Sequence, residues 1–173
     1  TAALISRNSS FMAQEQRDAA ERLAAATDEY ERLVAQAHQQ QAECDFKAAV
    51  KLAKKAIELE PQRSDGYHVL AGAYANSGEY LRASECYLSV IERCEPDSRP
   101  WAQSVCYAWD GRRRAAPCGT NYIFCDCVRC AALPAKPAWM ATPQALVATA
   151  ERVVAAAPEK AMPWKMHADA HWY

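Results

Sequence analysis

The sequence predicts an all-α protein built from antiparallel pairs of short helices, and three observations lead to that fold class. The 173 residues include only 5 glycines and 3 phenylalanines, while alanine and the long polar helix formers are abundant. Between Ser64 and Pro96, apolar residues recur at helical spacing on both sides of Gly78. The segment from Phe46 to Pro61 shows the same spacing about one unit earlier. We therefore expect stacked helix pairs.

The stretch from Ser64 to Pro96 is the clearest unit. One face of its first half carries an aromatic residue, a leucine, an alanine and a tyrosine, namely Tyr67, Leu70, Ala71 and Tyr74. Its second half continues with Gly78, Tyr80, Ala83 and Tyr87 and ends at a proline, which cannot continue a helix. The alanines let two antiparallel helices approach closely. This pattern resembles the tetratricopeptide repeat (TPR), whose period is about 34 residues.

The resemblance implies an α-solenoid, because a repeat of this kind cannot bury its apolar face without neighbours. One period upstream, a unit begins at Tyr30, and we expect helices at 30–43, 45–60, 64–77 and 80–95. One period downstream, Trp101 takes the aromatic position of a third unit. Trp164, 63 residues after Trp101, is at the next such aromatic position. One period is about 34 residues, so about 29 extra residues interrupt the third unit.

The predicted organisation has four parts. They are an N-terminal tail and capping helix (1–29), units 1 and 2 with the first helix of unit 3 (30–110), a Cys-rich insert (111–140), and the second helix of unit 3 with the start of unit 4 (141–173). Residues 1–9 lack a pattern and are expected to be disordered or frayed, and Ser9 or Ser10 is expected to cap the helix that follows. In the last part, Thr142 is expected as a cap with Pro143 in the first turn. The chain begins and ends within the pattern, so we expect it to be part of a longer protein.

Four of the eight cysteines cluster in the insert, at Cys118, Cys125, Cys127 and Cys130. Four thiolates are the usual ligand number of a closed structural zinc site, and the lack of a secretory signal makes a disulfide framework the weaker explanation. The text NYIFCDCVRC is similar to the short zinc-binding tail that follows the SET domain in SET/MYND lysine methyltransferases. That likeness implies zinc but no methyl transfer, since nothing here resembles the SET catalytic core. The alternatives are an exposed loop with incidental cysteines and an artefact of the gene model.

Other candidate chemistry is sparse. His167 and His171 have a spacing that suits a metal, but both fall on packing positions of the repeat, where we expect them to pack. The arginines 112–114 are expected in a solvated loop. Because a nucleophile elbow, a Gly-rich phosphate loop and paired carboxylates are missing from the sequence, we do not expect an enzyme, or any cofactor besides a structural zinc ion.

Charge and hydropathy limit the partners. The net charge of -1 argues against a nucleic-acid partner, and a run of about 18 apolar residues, which a membrane span needs, is missing. The first ten residues are too short and polar for a signal peptide. We therefore expect an intracellular protein, in the cytoplasm, whose partner is a protein or peptide.

The remaining candidate surface is the concave groove that the first helices of stacked repeats form. The TPR resemblance implies the groove-facing residues Val34, His38, Gln41, Asp65, His68, Ala75, Asn76, Arg99, Cys106 and Trp109. TPR co-chaperones that bind the acidic tails of Hsp70 or Hsp90 use a Lys and two Asn, whereas the matching positions here hold Val34, His38 and Val69, so we do not expect that ligand.

The favoured function is therefore a protein-interaction scaffold. Its mixed groove suits an extended or helical partner peptide held by apolar contact and a few hydrogen bonds. The alternative is a zinc-stabilised regulatory or enzyme-associated module that acts through the Cys-rich insert. Replacing residues 111–140 by a short Gly/Ser linker separates the two, because only the second function depends on the insert.

Overall fold

The computed structural model describes residues 2–117, 124, 128–131 and 133–170. All regular secondary structure in those residues is helical, and several pairs of successive helices pack against each other. The predicted all-α class is thereby confirmed. The chain divides into two compact units, Thr1–Gly78 and Glu79–Tyr173, here called unit 1 and unit 2. The division falls at Gly78, whose φ of +84° favours glycine, inside the stretch that the sequence treats as one repeat.

Unit 1 consists of α1 (Ala2–Ala25), α2 (Glu29–Ala42), α3 (Phe46–Leu59) and α4 (Ser64–Asn76). Each helix packs on the next, and α2 also contacts α4. The residues buried between them are mostly alanines: Ala35, Ala37, Ala49, Ala53, Ala56, Ala71 and Ala73. Since alanine adds little bulk, the backbones of neighbouring helices lie close together. The carboxylates of Asp28 and Asp45 accept backbone N–H groups at the starts of α2 and α3.

The start of α1 differs from its prediction. The helix begins at Ala2, so the segment expected to lack structure is helical, and Ser9 and Ser10 lie inside it and do not cap it. The physical reason is composition: the stretch contains neither glycine nor proline, so nothing in it stops a helix.

Unit 2 consists of α5 (Tyr80–Ile91), α6 (Arg99–Arg114), α7 (Val128–Ala131), a 3-10 turn (Ala138–Met140), α8 (Pro143–Ala156) and α9 (Ala161–Ala170). Helix α6 is central, since it packs against α5, α8 and α9. Large side chains fill the core around it: Trp101, Val105, Trp109, Met140, Leu146, Val153 and Met166. Helix α8 starts as predicted, with the Thr142 hydroxyl accepting the N–H of Ala145 and Pro143 in the first turn.

The arginine run at the end of α6 is a second correction. The sequence places it in a solvated loop, but α6 continues through Arg114. Arg112 is 4% exposed, and its guanidinium donates to the carbonyl oxygen of Pro134. Arg113 and Arg114 each donate to the buried carboxylate of Asp110 at 2.6 Å. These contacts fix the end of α6 and attach it to the segment that leads into α8.

Candidate functional site

Unit 1 contains a cleft of about 430 Å³. Its walls come from α1, α2, α4 and the connections before α2 and α4, and its main lining side chains are Arg22, Tyr30, Val34, His38, Arg63 and His68. Three of the predicted groove residues, Val34, His38 and His68, therefore line one cavity. Asp65, which the TPR resemblance also implied, lies at its edge. The first two meet because they are one turn apart on α2, and α4 supplies the third.

Tyr30 fixes the geometry of one wall. Its side chain is 1% exposed, and its hydroxyl oxygen accepts the N–H of Gly66 at 2.8 Å, which holds the first turn of α4 on α2. A Cβ atom at Gly66 would lie 3.0 Å from Cγ1 of Ile57, so a larger residue there would have to displace the Ile57 side chain. Burial raises the pKa of Tyr30, so the hydroxyl stays protonated.

The edge of the cleft beside Tyr30 is rich in carboxylates. The Arg63 guanidinium lies 4.0 Å from the centre of the Tyr30 ring. Its nitrogens are also within 4 Å of carboxylate oxygens on Asp28, Glu31, Glu60 and Asp65. One cation is thus shared among four anions, and this edge keeps a surplus of negative charge. Each pair is partly exposed, so the contribution of any one to stability is small.

The inner wall carries two imidazoles and Arg22. Burial lowers the pKa of His38 to about 4, and the positive charges of Arg22 and His68 act in the same direction. Burial also lowers the pKa of His68, against the opposing effect of Asp65. Both imidazoles are therefore neutral at pH 7. This wall can donate and accept hydrogen bonds while it carries the single charge of Arg22.

The remaining predicted residues of the groove lie elsewhere. Asn76 lines a neighbouring concavity of about 150 Å³ in unit 1, together with Arg22, His38 and Gln41. Arg99 and Cys106 line a cavity of about 180 Å³ in unit 2, where Arg99 pairs with Glu159 at 2.7 Å. Burial and the charge of Asp110 raise the pKa of the Cys106 thiol to about 12, so it is not a reactive thiolate.

Trp109 is a correction. The TPR resemblance placed it on the binding surface, but its side chain is 0% exposed in the core of unit 2. The reason is that α8 and α9 both pack on α6 and enclose the face that carries Trp109. Its indole N–H and the Nε of Arg113 are buried and lack hydrogen-bond partners among the residues that the structure describes.

The predicted zinc site falls mostly outside the described residues. Cys118, Cys125 and Cys127 lie there, as does His171, and only Cys130, half-buried in α7, is described. Within the described ranges, His, Cys, Asp and Glu side chains do not form a group of three that could hold a metal ion. The zinc site stays a prediction, which the zinc content of the purified protein tests, with the Cys125→Ser variant alongside.

Sequence reasoning missed Arg22, Tyr30 and Arg63 as cleft residues. Arg22 belongs to a helix without repeat landmarks, and Arg63 lies in a connection, so neither stands at a position that the repeat pattern singles out. Tyr30 and Gly66 are 36 residues apart, which is close to one repeat period and was the available signal.

Among the described helices, we found none with the length and apolar character that crossing a membrane requires. Comparisons with protein-family models, curated proteins and solved structures gave no match for this chain.

Proposed function

We propose that unit 1 is a protein-interaction module that holds a peptide segment of a partner protein in the cleft between α1, α2 and α4. The observation that carries this proposal is the convergence of Val34, His38 and His68 on one cavity. Its volume of about 430 Å³ lies within the range of roughly 300–1,000 Å³ that is typical of ligand clefts.

The lining indicates what kind of segment fits. Ala25, Ala26, Val34 and Ala35 make part of the lining apolar, here called the apolar floor, and the two neutral imidazoles add hydrogen-bonding groups to the lining. An apolar side chain of the partner would lie on the alanines and Val34, while its backbone N–H and C=O groups would bond to the imidazoles. This combination of one apolar anchor and a few polar contacts is common in peptide recognition.

The helix order of unit 1 supports a TPR-like solenoid as the setting of this cleft. In such a solenoid, the first helices of successive repeats touch and line the concave side. Helices α2 and α4 occupy those places in the predicted repeats, and they are in contact. The binding surface would then be the groove that the sequence predicts, limited to unit 1.

Peptide selection tests the function. Random 12-residue peptides displayed on phage are selected on the whole 173-residue chain, and the affinity of the enriched peptides is measured by fluorescence anisotropy. Val34→Asp puts a charge on the apolar floor and is expected to weaken binding at least about tenfold, because burying an unpaired carboxylate is costly. Val154→Asp on the half-buried face of α8 is the matched control and is expected to change affinity less than about twofold.

Two outcomes would overturn the proposal. One is a selection that enriches no peptide with saturable binding. The other is a set of enriched peptides whose affinity is the same for Val34→Asp and wild type, since they would bind away from the cleft. Circular dichroism of both variants shows whether the helices are retained.

A further inference from the structure

Three helices of unit 1 bring positive or ionisable nitrogen groups to one place. Helix α1 supplies Arg22, α2 supplies His38 and α4 supplies His68, and all three line the cleft. Arg22 and His38 also line the neighbouring concavity of about 150 Å³, so they form the partition between the two spaces. The imidazole of His38 therefore lies at the junction of α1, α2 and α4.

Each of the three helices also brings other charged groups close to this junction. On α1, Glu15 and Asp18 line the smaller concavity, and the Asp18 carboxylate accepts a hydrogen bond from Gln14 at 2.6 Å. On the cleft side, α2 contributes Tyr30 and Glu31, and the start of α4 contributes Asp65 beside Arg63. Asp65 acts on His68, whereas the charges that act on His38 are those of Arg22 and His68. Charging His38 thus meets repulsion from both neighbours.

The described side chains of α1, in residues 13–25, contribute little apolar packing to this junction. Of its described side chains, from residue 13 onward, Ala19 is the fully buried one, and Leu23 is half-buried. Burial of a methyl group contributes far less than burial of a leucine or aromatic side chain. Helix α2, by contrast, packs on α1, α3 and α4. A repulsive charge at the junction is therefore relieved most easily by movement of α1.

We propose that the cleft is gated by protons: charging His38 and His68 beside Arg22 displaces α1 and removes one wall of the cleft. At neutral pH the imidazoles are uncharged, and α1 supplies the part of the wall that carries Arg22. In acid, three positive charges would surround the same cavity, and displacement of α1 both hydrates His38 and removes Arg22 from it. The proposal concerns the cleft of the proposed function, but it is tested without any ligand.

The direction of the pH effect follows from proton linkage. The pKa of His38 is about 4 with α1 in place, against an ordinary value of 6.5 in water. The open form therefore binds more protons below pH 6.5, and the closed form loses stability as the pH falls from about 6.5 to about 4. For His38 alone, the opening equilibrium at pH 5 rises roughly 30-fold over its value at neutral pH. Above pH 7 no change is expected.

Hydrogen exchange measured by mass spectrometry tests the gate on the full chain. Protection factors, corrected for the intrinsic pH dependence of exchange, are compared between pH 7.5 and pH 5 for peptides from residues 13–25 and from α5 and α6. In the wild type, protection of α1 is expected to fall roughly 30-fold, while α5 and α6 keep theirs. Glu31 has a lowered pKa, so its protonation lies at lower pH and does not interfere.

Two variants connect the effect to the named groups. His38→Gln/His68→Gln, which keeps hydrogen-bonding groups but cannot be charged, is expected to show constant protection of α1. Arg22→Gln, at an exposed position, is expected to reduce the fall because one of the three charges is gone. Tryptophan fluorescence, which reports on residues beyond 100, shows that each variant has kept the fold of unit 2.

Three outcomes would overturn the gate. They are constant protection of α1 in the wild type, a fall that persists in the double variant, and an equal fall across α1 to α4, which would be acid unfolding of the whole unit. None of these bears on peptide binding at neutral pH. A failed peptide selection would conversely leave the exchange result unchanged, so the two proposals fail separately.

Discussion

The two units of this protein are both helical but bury different side chains. Unit 1 packs its helices through alanines, and Tyr30 is a rare large residue that is fully buried there. Unit 2 surrounds α6 with tryptophan, methionine, leucine and valine side chains. Small residues bring backbones close together but remove little apolar area from water, whereas each large residue removes much more. The apolar stabilisation of unit 2 is therefore concentrated in a few side chains.

This difference explains where a cleft can form. In unit 1, helices that lie close together leave the longer side chains at their edges, and these line an open cavity with histidines, arginines and carboxylates. In unit 2, Trp101 and Trp109 are buried in the core around α6. We expect substitutions in unit 2 to act on stability, and substitutions around the cleft to act on binding and on the response to pH.

The largest effect is expected for Trp109→Ala. Removing a fully buried indole from the core of unit 2 should cost about 3–5 kcal/mol, through lost apolar burial and the cavity that remains. Urea unfolding followed by tryptophan fluorescence measures it, since all five tryptophans lie in unit 2. Trp164→Ala is the control, because that indole is 52% exposed, and its cost should stay below about 1 kcal/mol. If Trp109→Ala and Trp164→Ala reduce the free energy of unfolding by similar amounts, the stability of unit 2 is not concentrated in its core.

A pair of glycine substitutions comes next. A Cβ atom on Gly111 would lie 2.9 Å from the backbone oxygen of Tyr80, so Gly111→Ala must push α5 and α6 apart, at about 1–3 kcal/mol. On Gly72 in unit 1 the same atom meets the Gln41 side-chain amide at 3.3 Å, which can move. The higher helix propensity of alanine, up to about 1 kcal/mol, should offset the cost of moving that amide. Gly72→Ala should therefore leave the free energy of unfolding almost unchanged. Thermal denaturation of both variants measures the two costs. A larger loss of stability for Gly72→Ala than for Gly111→Ala would contradict the structure.

Tyr30→Phe tests the support of the cleft. The substitution leaves the buried N–H of Gly66 without its acceptor, at an expected cost of about 1–2 kcal/mol. It should also weaken binding of any selected peptide, because the start of α4 carries Asp65 and His68. Tyr107→Phe removes a hydroxyl that accepts a hydrogen bond from the exposed Gln103 at 3.2 Å, and it should cost under about 0.5 kcal/mol. Equal costs in urea unfolding would show that the Tyr30 hydroxyl does not hold α4.

The smallest effect is expected for Arg99→Ala. Arg99 is a predicted groove residue, but it lies in unit 2 and forms an exposed ion pair with Glu159. Loss of that pair should cost no more than about 0.5 kcal/mol, and the affinity of a cleft-binding peptide should not change. Fluorescence anisotropy with the selected peptides checks this. A tenfold loss of affinity would return Arg99 to the binding surface and extend the site beyond unit 1.

Local pattern was enough to predict α3 and the start of α8, but not where α1 begins or where α6 ends. The apolar spacing on α3 and the Thr142–Pro143 start of α8 depend on neighbouring residues, and both agree with the structure. The burial of the α6 face that carries the two tryptophans could not be predicted in the same way. Trp101 and Trp109 lie two turns apart on one face, and burial of that face depends on α8 and α9, which follow a long insert. Arg63 was missed because its partners come from three separate segments.

The attachment of Arg112 to Pro134 has a consequence for protein engineering. It joins two points of the insert beside the end of α6, and α6 packs directly on α8. For a connection whose ends are held together, each doubling of length costs only about 0.6 kcal/mol of closure entropy. Phe124, within the segment between Arg112 and Pro134, packs on the core of unit 2, so an epitope, a fluorescent tag or a second domain should be inserted into the segment without replacing Phe124.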